Sequence, residues 1–221
     1  MKNKDHEARD INPRISVTEN SRKESFNQHL EQLISPFDQP QLPADRLYFQ
    51  NHTWFRHDTR EVVTIGIDHL GARMLGPVGA VVLPQAPLRV PRFAPVAWVL
   101  HAEGAQGIKT PITGTILITN PVLKTSPNAF YDSPYDDGWF LRFIPEDPDA
   151  LENRLLSARE AADHFRRQGA QLREQFQHAL PTAHATLGST LFDGGRPLTG
   201  IQDILGSKKY FSVVARIFVP E

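Results

Sequence analysis

Three residues with chemical potential lie close together in the chain: His101, Glu103 and Lys109. His101-Ala-Glu103 spells the H-x-E of zinc deaminases, where a glutamate moves protons beside a metal-activated water. That site also requires a later pair of cysteine ligands, and the chain has no cysteine. The same absence removes disulfides, thiolate zinc sites, iron–sulfur clusters and cysteine nucleophiles. Histidines 52, 57, 69, 101, 164, 178 and 184 show no HExxH spacing, and Asp68-His69 is a lone pair of neighbours. Surface or capping roles are expected for all of them. Asp193-Gly-Gly195 and Gly206-Ser-Lys-Lys209 do not satisfy the phosphate-binding GxxxxGK[ST] pattern and read as turns and caps. There is no GxSxG elbow, and the paired acids Asp136-Asp137 and Glu146-Asp147 fall in loop-like sequence, where solvated charge explains them. The residues therefore assemble no catalytic set and no metal site.

The elements that carry these residues divide the chain into three textures. Residues 1 to about 25 mix both charges with few large apolar side chains, and are expected to be a flexible arm. Phe26, Leu30, Leu33 and Ile34 recur at helical spacing until the proline-rich stretch from Ser35, which predicts one short amphipathic helix and a linker. From Leu47 to Ile144, short runs rich in Val, Ile, Phe and Trp alternate with Gly and Pro. Strands are predicted at Thr53–His57, Val62–Ile67, Gly79–Val82, Val96–His101, Gly114–Thr119 and Trp139–Ile144, with one helix around Asp68–Leu75. Strands this short and closely spaced leave no room for parallel βαβ units and imply a compact sandwich or flattened barrel.

After Pro148 the period becomes helical. Ser157-Ala-Arg-Glu160 is a capping box that starts a helix, and Gly169 interrupts its pattern before Pro181 ends it. Thr199-Gly-Ile-Gln202 forms a second box, Gly206 a stop, and Tyr210, Val213, Val214, Ile217 and Phe218 one apolar stripe that packs on the parent domain or holds a partner. A net charge of −1 gives no global attraction to nucleic acid or anionic membrane. With no apolar leader in the first 25 residues and no bilayer-length apolar run, a cytoplasmic location is expected.

Taken in order, His52-Thr-Trp54, Thr64-Ile-Gly-Ile-Asp68, Leu83-Pro84, Thr110-Pro-Ile-Thr-Gly114 and Ser133-Pro-Tyr-Asp-Asp-Gly-Trp139, with the helix-like Leu155–Ala161, resemble the H protein of the glycine cleavage system. The resemblance covers roughly residues 43–168. It implies a mainly β, barrel–sandwich hybrid of the lipoyl type, here with added N- and C-terminal helices, from which a tight hairpin projects. It also implies that Trp54 and Trp139 fill the core, while Trp98 stands where the family has a small aliphatic residue. In the family, a lysine at the hairpin tip carries lipoic acid and passes an aminomethyl group between enzymes.

Counting back without a gap from Thr110-Pro111, the lysine register falls on Glu103, and the family's acidic residue three positions earlier is replaced by Leu100. Lys109 is the nearby amine, but it stands six positions past the tip register, where the family has a strand residue. The expected protein is therefore a non-catalytic H-protein-like module, 43–168, between a 1–42 arm, helix and linker and a 169–221 helical extension. It would bind protein partners, such as lipoate-system enzymes or their relatives, without lipoate or any other cofactor. The alternative is a lipoyl carrier modified on Lys109.

Overall fold

The computed structural model of the protein describes residues 13–101, 103–180 and 200–219. A first helix, α1 (Pro13–Asp38), precedes the β region. Strands β1 (Leu47–Tyr48), β2 (Thr53–His57) and β3 (Val63–Ile67) lead into α2 (His69–Leu75), followed by β4 (Ala80–Val82), β5 (Leu88–Val90), β6 (Pro95–His101), β7 (Gly104–Lys109) and β8 (Gly114–Thr119). Two single-turn helices, α3 (Val122–Thr125) and α4 (Ala129–Asp132), precede β9 (Leu141–Pro145). Helices α5 (Asp149–Arg154), α6 (Ala158–Ala179), α7 (Ile201–Leu205) and α8 (Ser207–Val214) and a 3-10 turn at Ala215–Phe218 complete the order.

All strand pairs are antiparallel. Six strands form one sheet in the order β1-β2-β3-β9-β8-β5, and three form a second in the order β4-β6-β7. Residue alternation explains which side each strand buries. In β9, Leu141, Phe143 and Pro145 point into the core while Arg142 and Ile144 point out. Strand β3 is buried along its whole length, because elements cover both of its faces. Trp54 lies at the centre, its indole N–H shared between the carbonyls of Ile67 (2.9 Å) and Pro134 (3.1 Å), whereas Trp139 is half-buried beneath Arg142. The two sheets pack without closing, which is the mainly β sandwich expected. Three strands were not anticipated: β1 and β5 are only two and three residues long, and β7 is Gly-Ala-Gln-Gly-Ile-Lys, in which Ile108 is the one strong strand former and the rest is extended because β6 pairs with it.

The N-terminal expectation is corrected. From Pro13 onward the supposed arm is helix, and residues 1–12 lie outside the described part. Phe26, Leu30, Ile34 and Phe37 are buried at a helical repeat. Once that packed stripe has nucleated the helix, each preceding polar residue extends it at small cost. The helix also passes Ser35 and Pro36 instead of stopping there. A proline in the last turn removes the N–H that would reach the Gln32 carbonyl, and Arg73 donates to that carbonyl instead at 2.7 Å.

Helix α6 starts at the predicted capping box. The Ser157 hydroxyl accepts from the Glu160 N–H (3.4 Å), and the Glu160 carboxylate accepts from the Ser157 N–H (2.9 Å). Gly169 does not interrupt it. A Cβ at that position would come within 2.4 Å of the Phe37 Cβ, so the glycine is the notch where α1 crosses α6. Arg173 ties the same crossing through Glu31 at 3.0 Å and Asp38 at 3.5 Å.

In the C-terminal segment, all five residues of the Tyr210–Phe218 stripe are buried, and Tyr210 donates to the Met74 carbonyl at 2.8 Å. The stripe therefore packs on the parent domain. Gly206 turns the chain between α7 and α8 at φ +81°, as its stop role requires. The second capping box does not set the start of α7. Gly200 is its N-cap and makes no side-chain cap, while Thr199 lies outside the described residues.

Candidate functional site: the hairpin and its cover

Strands β6 and β7 pair from Pro95↔Lys109 up to His101↔Gly104, which is the closed end of the hairpin. Val96, Ala97, Val99 and Ile108 root it in the core, while Trp98 and Leu100 are half-buried. Glu103 is exposed at the tip, and its backbone N–H donates to His101 Nδ1 at 3.3 Å. Gly104 follows at φ +146°, a conformation that a side chain would strain.

Lys109 occupies the opposite end. It pairs with Pro95, is half-buried, and its carbonyl accepts from Asn51 Nδ2 at 2.9 Å. Six residues of strand place its backbone about 20 Å from the tip. The tip therefore presents a carboxylate, which accepts hydrogen bonds and attracts cations but cannot form an amide with an acid. The amine sits at the root.

The hairpin does not stand free. Phe211 of α8 lies flat on the His101 imidazole, ring centroids 3.6 Å apart and planes 12° from parallel. Burial under this ring lowers the His101 pKa from its ordinary value, and the neighbouring Glu103 charge works against that shift. The sequence reading gave no reason to expect the contact, since Phe211 falls outside the apolar stripe of its helix.

A second cluster corrects the expectation for histidines. His52 is fully buried, with its backbone at φ +67°. Its Nδ1 lies 3.0 and 3.1 Å from the two Asp68 oxygens, and its Nε2 lies 2.6 Å from the Gln168 side-chain amide. The ring stacks on Phe165 at 4.3 Å, with Phe37 edge-on at 5.8 Å and Phe218 at 6.1 Å. Asp68 also accepts from the Gly71 N–H at 2.8 Å, so it caps α2 and holds His52 at once. A surface role for His52 fails because α1, α6 and the C-terminal turn close over it. The pair is surrounded by a glutamine amide, a backbone N–H and three phenyl rings, and it reads as a structural polar core.

His69 hydrogen-bonds the Tyr135 hydroxyl at 3.0 Å, and burial lowers its pKa. Glu146 pairs with Arg89 in solvent, and Asp136 and Asp137 are exposed. Asp193-Gly-Gly195 lies outside the described residues, whereas Gly206–Lys209 is a helix start. Among the described residues no three His, Asp or Glu side chains are grouped to hold a metal, and no helix is long and apolar enough to cross a membrane.

The sequence matches to known proteins agree on one family. The sequence profile described as "Glycine cleavage H-protein" matches residues 46–168. Proteins named glycine cleavage system H protein from Magnetococcus marinus and Saccharophagus degradans are 38% and 33% identical over 117 and 115 residues, covering 53% and 52% of this chain and 82% and 88% of theirs. One from Trichormus variabilis is 32% identical over 133 residues, 60% of this chain and 95% of its own. A solved H-protein structure from Mycobacterium marinum overlays with a TM-score of 0.49 at 24% identity, covering 55% of this chain and 97% of that one.

Proposed function

The chain belongs to the glycine cleavage H-protein family, and from that premise we propose that it is a member whose hairpin carries no lipoate and which acts by docking on other proteins. Membership makes it a carrier-type protein rather than an enzyme. The observation that carries the proposal is Glu103 at the exposed tip, with the hairpin's one lysine at its root. A swinging arm needs a primary amine on a projecting turn. A carboxylate at that turn offers no attachment point, and Phe211 covers the adjoining His101 ring.

Partners on this reading are enzymes of a lipoate-dependent system or their relatives, met through the surfaces that flank the hairpin. The second reading is a working lipoyl carrier modified on Lys109. Family membership by itself favours it, since the relatives bear the name of the carrier. Tryptic mass spectrometry of protein purified from its own host separates the two. No lipoyl adduct on any lysine is expected. An adduct on Lys109 that disappears in Lys109→Arg would replace the first reading with the second.

A further inference from the structure

The added C-terminal turn and α6 enclose a cleft that the hairpin reading does not use. Its volume is about 360 Å³, within the size range of small-molecule sites. Helix α6 lines one wall with His164, Arg167, Gln168, Gln171 and Gln175, residues that share one helical face, and Arg216 faces them from the 3-10 turn. Among the described residues no acidic side chain lines it. Among the described residues, neither Arg167 nor Arg216 has a carboxylate within ion-pair distance, although other arginines of the same surface, such as Arg166 and Arg173, do.

The Gln175 carbonyl oxygen Oε1 is buried and has no donor among the described residues. A buried amide oxygen without a donor is costly, and in native proteins it calls for an explanation. A ligand that brings an N–H or O–H would supply one.

We propose that this cleft binds a small organic anion that also carries a hydroxyl or amino donor. The guanidinium groups of Arg167 and Arg216 take the anionic head in charge-assisted hydrogen bonds, the geometry for which arginine is suited. Gln175 Oε1, closed to solvent as the side chain lies, turns toward the cleft and accepts from the ligand's donor, which a bare anion does not have. Gln168 lines the cleft and lies 2.6 Å from His52 Nε2, so occupancy is felt at the buried imidazole. A carboxylate and a phosphate monoester share this chemistry, and the test includes both. The proposal stands apart from the hairpin reading, since none of its residues lies on β6 or β7.

The test uses the full chain with three probes: malate, glycerol 3-phosphate and sulfate, the last an anion with no donor. Binding is followed by calorimetry and by the histidine side-chain NMR signals. Saturable binding of malate or glycerol 3-phosphate below about 1 mM is expected, with sulfate weaker and the His52 signal shifted on saturation. Whichever of the two binds more tightly identifies the head group.

Arg167→Ala with Arg216→Ala should weaken binding of that probe by about a hundredfold. Gln175→Met, which keeps the volume and removes the acceptor, should weaken it by about tenfold while leaving sulfate unchanged. Both variants are checked for an unchanged unfolding midpoint. If the first unfolds, Arg167→Gln alone replaces it, with a weaker but measurable loss expected. The proposal is overturned if no probe binds saturably, or if a folded arginine variant binds as the parent does.

Discussion

Two histidines in this protein each lie flat against a phenylalanine, yet they are built for different purposes. His52 on Phe165 is closed in by three elements and has both ring nitrogens engaged. His101 on Phe211 is half-exposed, and its Nδ1 receives only the Glu103 N–H. The stacking contact is alike in the two, while the surroundings differ. Where the ring is sealed and hydrogen-bonded, it belongs to the cooperative core. Where it is open on one side, it is a contact between the hairpin and α8. The contrast separates two parts of the helical cover: α1, α6 and the buried stripe of α8 complete the core, while Phe211 of α8 also meets the hairpin.

Breaking the core side should have the largest effect. Asp68→Ala removes both the α2 cap and the acceptor for His52, leaving a buried imidazole nitrogen unpaired, and should cost about 2–4 kcal/mol in urea unfolding. A loss under about 1 kcal/mol would mean that His52 finds another partner. Gly169→Ala acts on the same side, forcing a methyl into Phe37 at the α1–α6 crossing. Overpacking outweighs the gain in helix propensity, so a net cost of about 1–2 kcal/mol is expected. Hydrogen exchange should then rise in α1 and not in the hairpin.

Breaking the hairpin side should cost less. His101→Ala removes one half-exposed aromatic stack and should lower stability by about 0.5–1 kcal/mol. Its signature is local: faster hydrogen exchange in 207–218 with the amides of β2 and β3 unchanged. If exchange rises across the whole sheet, the His101–Phe211 contact is coupled to the core and the contrast between the two histidines fails.

How much of this was legible in the sequence follows from where the partners lie. Strands β2 and β8 stood out at their observed bounds because Thr-Trp-Phe-Arg-His and Gly-Thr-Ile-Leu-Ile-Thr carry their own strand preference. Strand β7 did not, since its glycines and Gln106 gain order only from β6. The first half of α1 reads as polar chain because what holds the helix is downstream, at Phe26 through Phe37. The place of Glu103 at the tip was readable from an ungapped count to Thr110-Pro111. The His52 cluster was not, because Phe37, Asp68, Phe165, Gln168 and Phe218 come from four widely separated parts of the chain and meet only in the fold. His52-Thr-Trp54 in the family pattern was the one local signal, and it pointed to the tryptophan. The Gln175 cleft was invisible for the same reason, since Arg216 belongs to an addition that the family pattern does not reach.

The smallest effect tests the hairpin side by titration. Burial beneath Phe211 lowers the His101 pKa below its ordinary 6.5, against the pull of Glu103. Between the lowered value and 6.5 the unfolded chain binds more protons than the folded one, so stability rises with pH across that window. The neutral ring is favoured in the folded state, and the advantage is complete above 6.5 and lost as pH falls through the folded pKa. Acidification should therefore loosen α8 from the hairpin before it disturbs the sheets. The His101 imidazole followed by NMR should titrate below 6.5 in the parent. In Phe211→Ala, with the cover gone, the midpoint should move back up. In Glu103→Gln, which keeps the cover and removes the opposing charge, it should fall further. Opposite displacements in these two variants would tie the tip carboxylate and the α8 ring to the same imidazole. A shift in the same direction in both would mean that the histidine senses general loosening of the hairpin and neither neighbour in particular.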